Sequence, residues 1–277
     1  MPKLLSHSDV EAYRRDGFLF PVRVFSRDEA AALRAGLEGQ EAAAGAPLHG
    51  SLRLKSHLLF TWADRIVHHP AVLDAVEDLV GPNILCWTSN FFIKEAASPG
   101  FVSWHQDAAY WGLEPEEVVT AWVALSPSNA QTGCMKVMPG SHLESHMPHV
   151  DTFAKDNLLT RGQEIAVDVD ESRAASLVLE PGEMSLHHIR LVHGSAPNNS
   201  RDRRIGLAVR YLPAHVRQTK GRDSAMLVRG VDDHGNFDPE PRPRRDLGES
   251  ELRAHAEAVD RKVRVLYRGT GKTQLPA

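Results

Sequence analysis

ILCWTSNFFIK, residues 84–94, decides the fold. It is short, rich in aromatic and β-branched residues, and it opens a series of similar runs. VVTAWVALS (118–126), MKVMPG (135–140), EIAVDV (164–169), ASLVLEPGEMSLHH (175–188) and IGLAVRYLP (205–213) follow, separated by Gly, Pro, Asn and Ser. Short apolar runs at this spacing, with no helical pattern between most of them, predict strands of a sandwich, barrel or jelly roll. Before residue 84 the pattern is mainly helical. Asp9–Arg15 is an amphipathic turn closed by Gly17, and 18–24 is a strand candidate. Ser26 with Glu29 forms a capping box ahead of an Ala/Leu-rich helix. Pro70 opens a second helix that Gly81 and Pro82 stop. After residue 213 come a polar, proline-rich loop over 231–249, a candidate lid, and a helix over 251–266. The expected organisation is one mainly β unit over 1–277, with a helical part at 1–83, a strand core at 84–213 and a loop and helix at 214–277.

Composition narrows the function. A net charge of -4 gives no positive field for nucleic acid or an anionic membrane. The N-terminus has no apolar signal core, and no run is long enough to span a bilayer, so a cytoplasmic protein acting on a small molecule is expected. Cys86 and Cys134 sit in apolar runs and read as buried free thiols. Nothing in the sequence sets an oligomeric state.

The stretch WHQDAAYWGL, 104–113, carries the chemistry. On a strand, residues i and i+2 face the same side, so His105 and Asp107 are able to face one metal ion. Two imidazoles and one carboxylate leave open positions on a divalent transition metal. The third ligand is sought among His187, His188 and His193; His193 is preferred because Gly194, Ser195 and an arginine-bearing strand follow it. A competing cluster, His142, His146 and His149, lacks a carboxylate or cysteine, and Pro148 breaks its helix. Trp104 is expected to pack in the core.

YRRDGFLFP, WHQDAAYW, AWVALSPSNAQTGCMKVMPGSH and HGSAPNNSRDRRIGLAVRYLP together resemble the phytanoyl-CoA dioxygenase family of iron(II)- and 2-oxoglutarate-dependent oxygenases. The resemblance runs from about Tyr13 to Pro213. It implies a double-stranded β-helix, with His105, Asp107 and His193 as iron ligands. Arg204 matches the arginine that holds the distal carboxylate of 2-oxoglutarate, for which a guanidinium fork is suited. By alternation Arg204 and Arg210 share a face that Arg203 does not. Ser195 resembles a hydroxyl on the same carboxylate, and Asn90, Thr120 and Trp122 correspond to pocket-lining positions. QTGCMKVMPGSH reads as structural.

The resemblance also implies O2 as oxidant and hydroxylation of an unactivated C–H bond, with release of succinate and CO2. Halogenating relatives carry a small residue where Asp107 stands, so its presence favours oxygen insertion. Desaturation or epoxidation, a non-catalytic metal-binding barrel and a zinc hydrolase are the alternatives. Tyr110 and Trp111 are the first candidates for a substrate pocket. The substrate class stays open among amino-acid-like compounds, phosphonates and natural-product intermediates. Arg217, Lys220 and Arg222 read as a solvated face.

Overall fold

The computed structural model describes residues 2–159, 161–167 and 169–268. Asp168 of the 164–169 run and the segment 269–277 lie outside them. The strand Ile84–Lys94 forms as predicted and pairs antiparallel with Arg204–Pro213 along its whole length, from Lys94 opposite Arg204 to Ile84 opposite Pro213. Around this pair runs a seven-stranded sheet in the order Phe18–Arg23, Glu183–His188, Val119–Ala124, Arg204–Pro213, Ile84–Lys94, Ser224–Arg229, Asp238–Pro239. A four-stranded sheet comprises Val102–His105, His193–Ser195, Met135–Val137 and Ala175–Ser176.

Side-chain alternation gives the large sheet two characters. Leu186, Val123, Leu207, Val209, Phe91 and Ile93 belong to the main core, together with Leu33 and Leu37 of the helix Arg27–Ala44 and Val72 and Val76 of the helix Pro70–Val80. The capping box at Ser26 forms, its hydroxyl accepting from the Glu29 amide at 3.2 Å. On the opposite face, His187, Thr120, Arg210 and Thr88 lie in one row across four strands. The next row on that face holds Trp122, Ala208 and Asn90. Apolar residues thus fasten the sheet to the helices, and polar ones line the other side.

Several expectations change. The 164–169 run gives a strand only over Gln163–Ile165, and 175–188 divides into Ala175–Ser176 and Glu183–His188, with Pro181 and Gly182 between them. Ser224–Arg229 is a strand without a counterpart in the reading, and the strand expected at His105 and Asp107 spans Val102–His105 and stops short of Asp107. Trp104 is not a core residue: it points away from buried Ser103 and His105 and donates to Glu171 at 3.2 Å. Both cysteines are free and buried. Among the described residues no helix is long and apolar enough to cross a membrane.

The loop over 231–249 is strapped down. Arg242 pairs with Asp64, and Asp246 accepts from the Thr61 amide and hydroxyl at 2.7 Å each. Deepest lies Glu240, which accepts from Lys55 and, at 2.7 Å, from the Ser224 hydroxyl. Lys55 is fully buried and also donates to the carbonyls of Trp87 at 2.8 Å and Ser224 at 3.0 Å. Burial alone would raise the Glu240 pKa, but Lys55 and His57 overcome it and hold it at about 2. A depressed carboxylate stabilises the fold above its unfolded pKa of about 4.3, and that contribution fades as pH falls toward 2. Glu240→Gln strands a buried lysine and is expected to lower stability by about 3–5 kcal/mol at pH 7. In urea unfolding the gap from the parent should narrow between pH 4 and pH 2; equal stability at pH 7 would refute the buried ion pair.

Candidate metal centre and adjoining cavities

His105 closes the strand Val102–His105, and His193 opens the neighbouring strand directly opposite it. Their rings lie 4.1 Å apart between centroids. The strand ends before Asp107, which has helical backbone angles and begins the short helix Ala108–Trp111. A turn, not a shared strand face, therefore brings Asp107 to the histidines. Ligand-capable atoms of His105, Asp107 and His193 all lie within 4.8 Å of one another, and all three residues are buried. This is the one such group of three among the described residues.

The hydrogen bonds fix which nitrogens face inward. His105 Nδ1 donates to the carbonyls of Ser103 at 2.9 Å and His193 at 3.1 Å, and His193 Nδ1 donates to Leu191 at 2.9 Å. Each ring thus carries its hydrogen on Nδ1 and presents an Nε2 lone pair to the centre, the arrangement a metal-binding imidazole needs. His105 Nε2 is 3.4 Å from Asp107 Oδ1, while Oδ2 is buried without a partner. Burial, with His105 nearby, pushes His193 down to about 4, so its imidazole is neutral at pH 7. An orphaned carboxylate oxygen beside two lone pairs fits a divalent cation.

The other histidines serve elsewhere. His187 is 4.9 Å from His193 between ring centroids but lies outside the group of three. His188 accepts from the Arg190 amide. His142 bonds the Arg14 carbonyl, His146 bonds Glu116 and His149 accepts from the Gln106 amide, so these three form no cluster.

A cavity opens beside the histidines, and Thr120, Trp122, Ser195 and Arg204 line it. Arg204 is 3% exposed, lies 5.2 Å from the Trp122 ring and donates to the Gly133 carbonyl. Its Nε has no partner, and it makes no ion pair among the described residues. Burial lowers its pKa to about 10, which leaves it charged at pH 7. Gly206 makes room for this arrangement: a Cβ there would lie 1.9 Å from the Trp122 indole. Gly133 has φ +69°, and a Cβ on it would meet the Ala196 carbonyl oxygen at 2.1 Å. The QTGCMKVMPGSH stretch is therefore more than structural, since it supplies the carbonyl that steadies Arg204.

Lys94 escaped the sequence reading. It stands opposite Arg204, is 1% exposed and donates to Ser195 Oγ at 2.7 Å and to the carbonyls of Gly133 and Ala196. Burial, with Arg204 beside it, pushes its pKa down to about 6. While Lys94 carries its third proton, Ser195 Oγ accepts in that bond and its own hydrogen is left to donate elsewhere.

A second cavity lies on the Asp107 side. Asn90 opens here, not beside Arg204, together with Thr88, Tyr110 and Trp111. Trp111 packs on Trp87 at 5.1 Å, and Tyr110 lies under the Arg161 guanidinium at 4.8 Å. Arg210 lines both cavities. Arg203 points outward to Glu41 and Glu95, as alternation requires. Arg217 and Arg222 pair at the surface with Glu114 and Asp238, whereas Lys220 donates to the Tyr110 carbonyl at 2.6 Å.

The sequence profile of the phytanoyl-CoA dioxygenase family matches residues 13–206, well over half of the chain. The chain belongs to the phytanoyl-CoA dioxygenase family. Among curated members, a probable alpha-ketoglutarate-dependent hypophosphite dioxygenase of Stutzerimonas stutzeri is 31% identical over 162 residues, 57% of this chain and 55% of that protein. The chain thus spans about half the length of this curated relative. Solved structures match more completely. ThoJ, a non-heme monooxygenase in its apo form, is 40% identical with a TM-score of 0.84, covering 94% of this chain and 97% of that one. CytC3 with Fe(II) and alpha-ketoglutarate is 26% identical with a TM-score of 0.64, covering 84% and 91%.

Proposed function

We propose that this family member is an iron(II)- and 2-oxoglutarate-dependent dioxygenase that oxidises a small molecule. One observation carries the reading: the two histidines of a buried His-Asp-His group line one cavity with Arg204, a buried guanidinium without a carboxylate partner. A metal-binding barrel without turnover, or a zinc hydrolase, has no use for such a guanidinium.

His105, Asp107 and His193 would hold the iron through Nε2, a carboxylate oxygen and Nε2. Arg204 would take the distal carboxylate of 2-oxoglutarate as a fork, and the free Ser195 hydrogen would donate to the same group. Thr120 and Trp122 would wall this cavity, and Tyr110, Trp111 and Asn90 the substrate side. Iron and 2-oxoglutarate, when bound, supply the oxidising power for insertion of oxygen from O2 into a C–H bond, with succinate and CO2 released. The chain's part is to place the partners and exclude water, which its buried aromatic walls do. Hydroxylation of a free small molecule is the form we favour.

The test is anaerobic. Adding iron(II) and then 2-oxoglutarate to metal-free protein is expected to give the weak visible charge-transfer band of the chelate, and His105→Ala is expected to remove it. Folded, iron-loaded protein without a band would end this reading.

A further inference from the structure

Arg204 accounts for one buried guanidinium, but the same strand face carries a second. Arg210 lies in the row with Thr88, Thr120 and His187, is 8% exposed and stands at the junction of the two cavities. Its guanidinium lies over two aromatic rings, 5.5 Å from the Phe92 centroid and 5.4 Å from that of Trp111. Its one hydrogen bond goes to the Ala208 carbonyl at 3.3 Å, Nε has no partner, and it makes no ion pair among the described residues. An aromatic face holds a guanidinium without using its N–H edge, which is left for recognition.

The charges around it identify what is missing. With the iron site and cosubstrate proposed above, a divalent metal, the Asp107 carboxylate, a dianionic 2-oxoglutarate and Arg204 cancel. Arg161 is neutralised by Asp151. Lys262, on the second cavity, holds its Nζ over the Trp87 ring without a hydrogen-bond partner, and so adds to the positive side. Arg210 is left over, and a buried charge without a counter-ion is strongly unfavourable. We infer that the second cavity receives a substrate bearing an oxyanion group, a carboxylate or a phosphonate, and that Arg210 binds that group while Tyr110 and Trp111 pack its carbon body. This rests on the oxygenase reading, because that reading places the cosubstrate's own carboxylates elsewhere.

The experiment uses protein saturated with nickel(II) and 2-oxoglutarate, which fills the first cavity without turnover. Benzoate and phenylphosphonate are titrated against neutral benzamide and followed by calorimetry. Both anions are expected to bind at least about tenfold more tightly than benzamide, the scale of a charge-assisted hydrogen bond. Arg210→Gln should erase that preference, and Arg210→Lys, which keeps the charge but not the fork, should retain part of it. Equal binding of anion and amide, or a preference that survives Arg210→Gln, overturns the inference. Anion binding seen only without 2-oxoglutarate does so too, because the probe is then at Arg204. The visible band with iron(II) separates the two claims: its absence from the parent protein removes the oxygenase reading itself, whereas its presence with no anion preference removes only the role of Arg210.

Discussion

Asp107→Ala is expected to abolish succinate formation and the visible chelate band together. Loss of even an outer partner of a metal ligand costs about 10–100-fold in metal affinity, and loss of the only carboxylate in the group should exceed that. The physical reason is charge as well as geometry. His105 and His193 are neutral donors through Nε2, so Asp107 is the one group of the three that offsets the charge of a dication. Its unpartnered oxygen makes no other hydrogen bond whose loss would unfold the chain. Titration of iron(II) into the folded variant gives the result directly. Parent-like affinity and turnover with saturating iron would remove Asp107 from the ligand set.

Arg204→Met should separate cosubstrate from metal. Truncating one partner of a buried, hydrogen-bonded charge pair costs about 2–5 kcal/mol, or roughly 30- to several-thousand-fold in affinity. The 2-oxoglutarate concentration needed for the band should rise by that factor, while iron(II) alone binds as in the parent. A second readout moves in the opposite direction. Without cosubstrate Arg204 is a desolvated cation with no counter-ion, so methionine, similar in length and apolar, is expected to raise the melting temperature of the metal-free protein. Added 2-oxoglutarate should then stabilise the parent and no longer the variant. An unchanged cosubstrate requirement would place the carboxylate elsewhere.

The parts of this architecture that announce themselves in sequence are those set by neighbours along the chain. The strands 84–94 and 204–213, the capping box at Ser26 and the proline-led helix at 70–80 all depend on local pattern, and all stand where the pattern puts them. His105 and Asp107 were visible as a pair, yet the turn after His105 that brings Asp107 to the two histidines was not. Lys94 was hidden for a different reason. A charged residue within an apolar strand reads as solvent-facing unless its partners are known, and Ser195 lies 101 positions from Lys94. The misplacement of Trp104 was avoidable: if His105 faces the metal, its strand neighbour must face away. Glu240 lay in a stretch so polar that nothing suggested it would be buried against Lys55.

The two-sided character of the large sheet has an engineering consequence. The side chains that hold it to the helices, Leu186, Val123, Leu207 and Val209 among them, alternate along the backbone with those that face the cavities. Thr88, Thr120, His187 and Arg210 stand in register across four strands and take no part in that apolar contact. A library randomised at these four codons leaves the apolar contact between sheet and helices in place. It offers a compact search space for variants that accept different compounds while keeping the iron centre they all share.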